Sequence, residues 1–320
     1  MTEPVVLLEI VRSGLVEGRH RGSVVALDAS GGTILSLGDV TGPIFPRSCN
    51  KPLQAVAMLR CGLELSGDLL ALAGASHSGE PFHLDGVRRI LASAGLDESA
   101  LQTPPDYPLD DTAMRTMVRA GGDKQPIAMN CSGKHAAMLA TCVVNGWPTE
   151  TYRDPDHPLQ QRIAATFEEL TGEPVVAEGV DGCGAPLLST SLTGLARGFS
   201  ALVTAPTGSA ERAVVDAFSQ YPEFSSGTTR DEAVLLRAIP GSIGKAGAEA
   251  CYAVGLPDGR AVALKIDDGH QRARPVVMAA ALRRLGVDHE AGVDGAAVRA
   301  TGAAPVLGGG KPVGEIRPTF

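Results

Sequence analysis

The sequence predicts a mixed α/β (α+β) fold, in which strands from the two ends of the chain form one antiparallel sheet packed against a helical middle. Three observations carry this prediction. Period-two apolar patterns punctuated by turn residues occur near the N-terminus and again at 251–266, whereas period-3.6 patterns fill most of what lies between. No internal repeat or low-complexity linker divides the 320 residues, so a single catalytic unit over 1–320 is expected, with about 65–230 as its helix-rich part.

Taken in order, 5–11 reads as a strand, and 23–28 with 33–37 reads as a hairpin closed by Ala29-Ser30-Gly31-Gly32. After Pro46, the segment 48–62 places Leu53, Val56, Ala57 and Leu59 at helical spacing, and Gly62 ends it. The continuous apolar run 69–75 leads into the polar turn Ser76-His77-Ser78-Gly79-Glu80. Helices are predicted at 84–94, 111–120, 134–145 and 158–171, the last stopping at Gly172. A hairpin at 251–256 and 261–266, turned by Pro257-Asp258-Gly259-Arg260, precedes a helix at about 271–285, and the Gly- and Pro-rich 302–313 reads as loop. A site is expected where the helices meet the sheet.

Composition narrows the partners. With 28 basic and 36 acidic residues the net charge is -8, which gives no positive field for a phosphate backbone, so nucleic acid is not an expected partner. No stretch approaches the ~20 apolar residues of a membrane-spanning helix. The N-terminus carries Glu3 and Glu9 and lacks the basic start of a secretory signal, so a cytoplasmic location with reduced thiols is expected for the six cysteines. The expected assembly is a homodimer. Only six of the basic residues are lysines, 51, 124, 134, 245, 265 and 311, which singles them out. An amine can lose its proton when desolvated, whereas a guanidinium stays charged. Lys124 and Lys311, in polar or Gly-rich stretches, read as ordinary surface cations.

Four constellations could carry chemistry. In Ser48-Cys49-Asn50-Lys51, positions i and i+3 of a helix start share a face, so the amine can take the serine proton during attack on a carbonyl. Taken alone, S-x-x-K more often means a helix cap followed by a surface lysine. The turn 76–80 offers a second hydroxyl, its ordinary reading being a cap for the next helix. Lys265 ends a strand beside Asp267 and Asp268. This order of an early S-x-x-K, a central hydroxyl turn and a late strand lysine is similar to that of penicillin-binding proteins and serine β-lactamases, although S-H-S replaces S-D-N and no K-T-G occurs. The fourth constellation joins Asn130-Cys131-Ser132-Gly133-Lys134-His135 to Asp181-Gly182-Cys183-Gly184. Two thiols with a nearby amine or imidazole suit one borderline metal, zinc first, with Lys134 and His135 as alternative third ligands. Two buried cysteines at close-packed turns is the ordinary alternative.

The runs PRSCNKPLQA, ASHSGEPFH, NCSGKHAAMLATC, DGCGAP, GKAGAEA and ALKIDDG closely resemble the L-asparaginase II family of rhizobial type, in the family's order, from about 44 to 270. The resemblance implies a fold related to glutaminases and serine β-lactamases, and hydrolysis of L-asparagine to L-aspartate and ammonia. Carried onto this sequence, it makes Ser48 the nucleophile with Lys51 its base, and Ser76 with Lys265 a second pair. Ser76 is preferred over Ser78 as the first serine of the matching turn. Cys131, Lys134 and Cys183 match the positions that hold zinc. Arg47, His77, Asp181 and Lys245 lie in the same motifs and are expected to contact substrate, Asp181 and His135 also being placed to orient the metal ligands. Cys251 departs from the pattern, standing in GAEAC where GAEG is expected. The rival readings are a related amidase, acting on glutamine or a β-lactam-like amide, and a zinc-binding or sensory protein without turnover.

Overall fold

The computed structural model describes residues 5–320; Glu3, used above in reading the N-terminus, lies outside them. Ten strands and twelve helices are present among these residues. The strands are β1 (Val5–Arg12), β2 (Leu15–Leu27), β3 (Thr33–Leu37), β4 (Glu178–Val180), β5 (Pro186–Leu188), β6 (Ile243–Gly247), β7 (Cys251–Gly255), β8 (Ala261–Ile266), β9 (Pro305–Gly308) and β10 (Lys311–Pro318). The first six helices are α1 (Lys51–Arg60), α2 (Gly67–Ala73), α3 (Pro81–Ser93), α4 (Asp111–Arg119), α5 (Ser132–Asn145) and α6 (Pro158–Thr171). They are followed by α7 (Leu192–Thr204), α8 (Ala210–Gln220), α9 (Pro222–Ser225), α10 (Asp231–Ala238), α11 (Ala273–Arg284) and α12 (Gly295–Thr301).

The main sheet runs β6-β7-β8-β2-β1-β10-β9, with β3 also on β2, and every pairing is antiparallel. Both chain ends therefore enter one sheet, as predicted. Alternation decides which side chain goes where. Val25, Leu27, Ala253, Ala261 and Ala263 join a core formed with α1, α2, α3 and α5 to α8, while Val24, Ala26, Tyr252, Val254, Val262 and Leu264 join a second core under α11 and α12. The sheet is covered on both faces.

One prediction needs correction. Residues 302–313 form the hairpin β9–β10 rather than a loop, because Gly309 and Gly310 take left-handed φ and turn the chain tightly. The run 69–75 is mostly helix α2. The segment 48–62 is helical but in two parts, a 3-10 turn Arg47–Asn50 and then α1. That division matters for the site. Along α1 every residue from Lys51 to Met58 is buried, so Lys51 is carried into the core with its helix rather than onto the surface.

Candidate active site and metal centre

Ser48 sits half-buried in the 3-10 turn after Pro46, and the end of β6 is pressed against it. A Cβ on Gly247 would lie 2.6 Å from the Pro46 carbonyl and 3.2 Å from the Ser48 amide, so only glycine permits this approach. From the next turn of chain, the Lys51 ammonium donates to the Ala75 carbonyl at 2.6 Å, to Ser76 Oγ at 2.9 Å and to Cys131 Sγ at 3.0 Å. One buried amine thus ties together the S-x-x-K helix, the hydroxyl turn and the first thiol. None of its three bonds goes to Ser48. Lys51 begins α1, after the 3-10 turn that holds Ser48, and its ammonium is directed to the α2–α3 connection.

Lys265 is not the partner of Ser76. Its ammonium donates to the Glu249 carbonyl at 2.6 Å and to the Ile266 carbonyl at 2.8 Å, at the rim of a separate hollow. Lys245, by contrast, is buried in β6, with Nζ donating to the Ala246 carbonyl at 2.7 Å and to Glu232 Oε1 at 3.3 Å. Burial pulls its pKa down to about 8; the Glu232 carboxylate opposes that fall and the Lys51 charge adds to it. Glu232 was not singled out in the sequence. It is buried and accepts from Arg230, Lys245 and the Ala246 amide. Burial raises its pKa, but the charges of Arg230, Lys245 and Arg274 outweigh that and keep it ionised. The only signal for it was the Arg230-Asp231-Glu232 run opening α10.

His77 also departs from expectation. It is fully buried, accepts from the Gly79 amide on Nδ1 at 3.1 Å, and lies 2.8 Å from Ser132 Oγ through Nε2. Ser132 in turn donates to the Ile127 carbonyl, so Nε2 carries the imidazole proton and neither ring nitrogen is left for substrate. Burial, with the nearby His83 and Lys51 charges, holds its pKa well below the ordinary range. With His77 N–H donating to the Asn130 carbonyl at 3.0 Å, the ring locks the Ser76 turn to the start of α5. Ser78 donates to the Ser226 carbonyl, which leaves Ser76 as the serine of that turn facing Lys51.

The second centre adjoins the first. Sγ of Cys131, a carboxylate oxygen of Asp181 and Sγ of Cys183 lie within 4.8 Å of one another, and this cluster can chelate a metal ion. The donor chemistry fits one. Cys131 is held well below the usual thiol range by a hydrogen bond from Cys183, with burial opposing and the Lys51 and Lys134 ammoniums assisting, while Cys183 is raised by that same pairing and by burial. Lys134 donates to Cys183 Sγ at 3.2 Å. Burial works against its charge, but Cys183, Cys131 and Asp181 outweigh that and raise its pKa. Asp181 joins the donor set from its expected place as a substrate contact, with Arg47 Nε donating to its Oδ1 at 2.7 Å. His135 is buried beside Cys183, its Nδ1 2.6 Å from the Tyr152 hydroxyl and its Nε2 without a hydrogen-bond partner. An imidazole nitrogen without a hydrogen-bond partner next to the Cys183 thiol is a further reason to regard this as a metal cradle.

The hydrogen bond to Ser76 from Lys51, three residues after Ser48, and the thiol–carboxylate cluster beside it are consistent with a serine–lysine hydrolase of the amidohydrolase class. The family model for L-asparaginase II matches residues 8–318, and the chain belongs to that family. No curated protein matches the sequence. Among solved structures, a β-lactamase from Mycobacterium bovis is 15% identical, covering 82% of this chain and 94% of that one, with a TM-score of 0.49. EstCE1, a hydrolase with promiscuous acyltransferase activity, is 12% identical over 78% and 90% of the chains (TM-score 0.41), and Mglu in its tris and glutamate form is 16% identical over 89% and 63% (TM-score 0.37). The architecture described above rests on its own strand pairing, not on these likenesses.

Proposed function

We propose that the chain hydrolyses L-asparagine to L-aspartate and ammonia through an acyl-enzyme on Ser48. The observation that carries this reading is the Lys51 Nζ to Ser76 Oγ contact of 2.9 Å, made three residues after Ser48. In the first half-reaction, Ser48 Oγ attacks the side-chain amide carbon as its proton passes to the Lys51 amine. The backbone N–H at the start of the 3-10 turn receives the developing oxyanion. Lys51 returns the proton through the Ser76 hydroxyl to the leaving nitrogen, the C–N bond breaks, and ammonia departs. Water then attacks the ester by the reverse relay, releasing aspartate and Ser48. Lys245, not Lys265, is the second amine of this centre, since its burial and depressed pKa favour a neutral form close to working pH.

Zinc suits the cradle, with Cys131, Cys183 and Asp181 as ligands and Lys134 or His135 completing them. When bound it supplies positive charge that orients the polar end of a substrate. The protein residues of the cradle hold that charge against the Lys51–Ser76 pair through Cys131. Ammonia release from asparagine and from glutamine, with zinc content measured on the same sample, tests the reading. Release from asparagine is expected, whereas stoichiometric zinc without release from either amide would favour a binding protein. Asparagine and glutamine differ by one methylene, worth ~1–3 kcal/mol in a pocket, so measurable turnover of both would remain within this chemistry.

A further inference from the structure

Among the described residues, α4 is the one α-helix that buries none of its own side chains. Its sequence is nevertheless amphipathic: Ala113, Met114, Met117 and Val118 stand at i, i+1, i+4 and i+5, with polar or charged residues between them. At 9 residues it is shorter than the ~12–15 at which isolated helices become stable in water, so its order depends on covering such a face. The segment is fastened at its ends instead. Asp110 caps the first turn, accepting from the Ala113 amide at 2.7 Å, and the Asp110 amide donates to the Ser78 carbonyl at 2.8 Å. The amides of Asp106 and Gln125 donate to each other's carbonyls at 3.2 and 3.0 Å, which closes the neck of the excursion.

Ala113, Met117 and Ala120 form one wall of a hollow of about 690 Å³, and Pro81 and Leu84 of α3 form another. That volume lies within the range of small-molecule sites. Its lining includes no residue of the reaction centre or of the metal cradle. Charge gives the hollow a sign. Glu80, Asp85 and Asp110 bring three carboxylates to the lining, against one guanidinium, Arg88, which already donates to Asp85 at 2.9 Å and to Glu98 at 2.7 Å. Glu80 is held at the rim by the amide and hydroxyl of Thr228. We infer that this hollow binds a small cationic amphiphile, of the class of primary alkylammonium ions, with its chain between Leu84 and Met117 and its head among the carboxylates. Such a chain supplies the cover that the apolar face of α4 lacks. An anionic amphiphile of equal length would meet like charge at the same rim. This binding does not require the proposed amide hydrolysis.

The test titrates decylammonium and decanoate, each below its aggregation threshold, into the full chain by calorimetry. The Met117 methyl, isotope-labelled, followed by NMR and assigned by its loss in Met117→Leu, reports where they bind. Saturable binding of decylammonium, about tenfold or more tighter than decanoate at low salt, is expected, with a saturating shift of the Met117 methyl. Ala113→Trp fills the hollow and should weaken decylammonium about tenfold or more. Val118→Trp, at an exposed position outside the lining, should leave it within about twofold. Asp85→Asn should narrow the preference over decanoate by about two- to fivefold, the size of one exposed charge contact, and added salt should act in the same direction. No saturable binding by the wild type, decanoate bound as tightly as decylammonium, or an affinity unchanged in Ala113→Trp would overturn the inference. If Ala113→Trp does not fold, the wild-type Met117 methyl decides: a shift that saturates with the calorimetric binding supports the site, and an unmoved methyl refutes it.

Discussion

A lysine whose three ammonium hydrogens are all engaged by protein acts as a base only after giving one of them up, and Lys51 has a carbonyl, a hydroxyl and a thiol around it. Ser48→Ala and Lys51→Ala are each expected to reduce ammonia release by at least about 10³-fold with the fold retained by circular dichroism. The double variant should be little worse than either, because a nucleophile and its base act as a unit. Lys51→Arg should be nearly as damaging as Ala, since guanidinium offers no neutral form; substantial activity in it would reassign the residue to electrostatic stabilisation. Lys245 gives a pH prediction. Its amine loses the proton as pH rises through about 8, so the rate should climb over that interval, and Lys245→Arg should flatten the profile. A wild-type profile without a rise near that pH would count against a neutral Lys245. Short motifs made Ser48, Lys51, Ser76, Cys131 and Cys183 legible in the sequence. Which lysine meets which serine was not, because i,i+3 spacing assumes one continuous helix and the chain changes from 3-10 to α geometry between Ser48 and Lys51.

The elements that carry these residues are held by close backbone approaches as much as by apolar area. A Cβ on Gly133 would lie 2.6 Å from the Leu72 carbonyl, so α5 and α2 touch at the turn that delivers Cys131 and Lys134. Gly133→Ala should therefore cost about 1–3 kcal/mol in chemical denaturation, the range of overpacking in a tight core, and lower the metal content of purified protein. Stability equal to wild type would mean that the helices can separate without penalty. Helices with one apolar face, such as α6, were legible almost to the residue, as was the β7–β8 hairpin with its Pro257-Asp258-Gly259 turn. The strand β6 escaped notice because all five of its residues are buried and Gly244, Ala246 and Gly247 give no alternation to detect. Helices α7 and α8 carry their signal in their caps, Ser191 and Ser209 each accepting from an amide of the first turn, whereas α10 has no side-chain cap to mark its start.

At the scale of the whole molecule, two cores on opposite faces of one sheet place the reacting groups at the sheet's β6 edge, between helices from the middle of the chain. Burial of neutral imidazoles couples that arrangement to pH. His83, stacked on His77 and packed against Phe82 and Phe224, accepts the Glu80 amide and meets the Glu223 carbonyl, and burial lowers its pKa to about 4 despite the nearby Glu80 and Glu223 charges. The folded state thus resists a proton that the unfolded chain accepts near pH 6.5. Stability should be complete above that pH and decline as pH falls from 6.5 to about 4, by on the order of 3 kcal/mol for His83, with His77 adding to the loss. Urea titrations across that interval test this, and a stability independent of pH there would contradict it. The central claim, that Ser48 carries the acyl group, is tested most directly by quenching the enzyme in acid during turnover of L-asparagine and locating the aspartyl ester by peptide mass spectrometry. The account predicts the adduct on the peptide containing Ser48 and its absence from Ser48→Ala, whereas an adduct on Ser76, or turnover with no adduct in wild type and undiminished in Ser48→Ala, would contradict it.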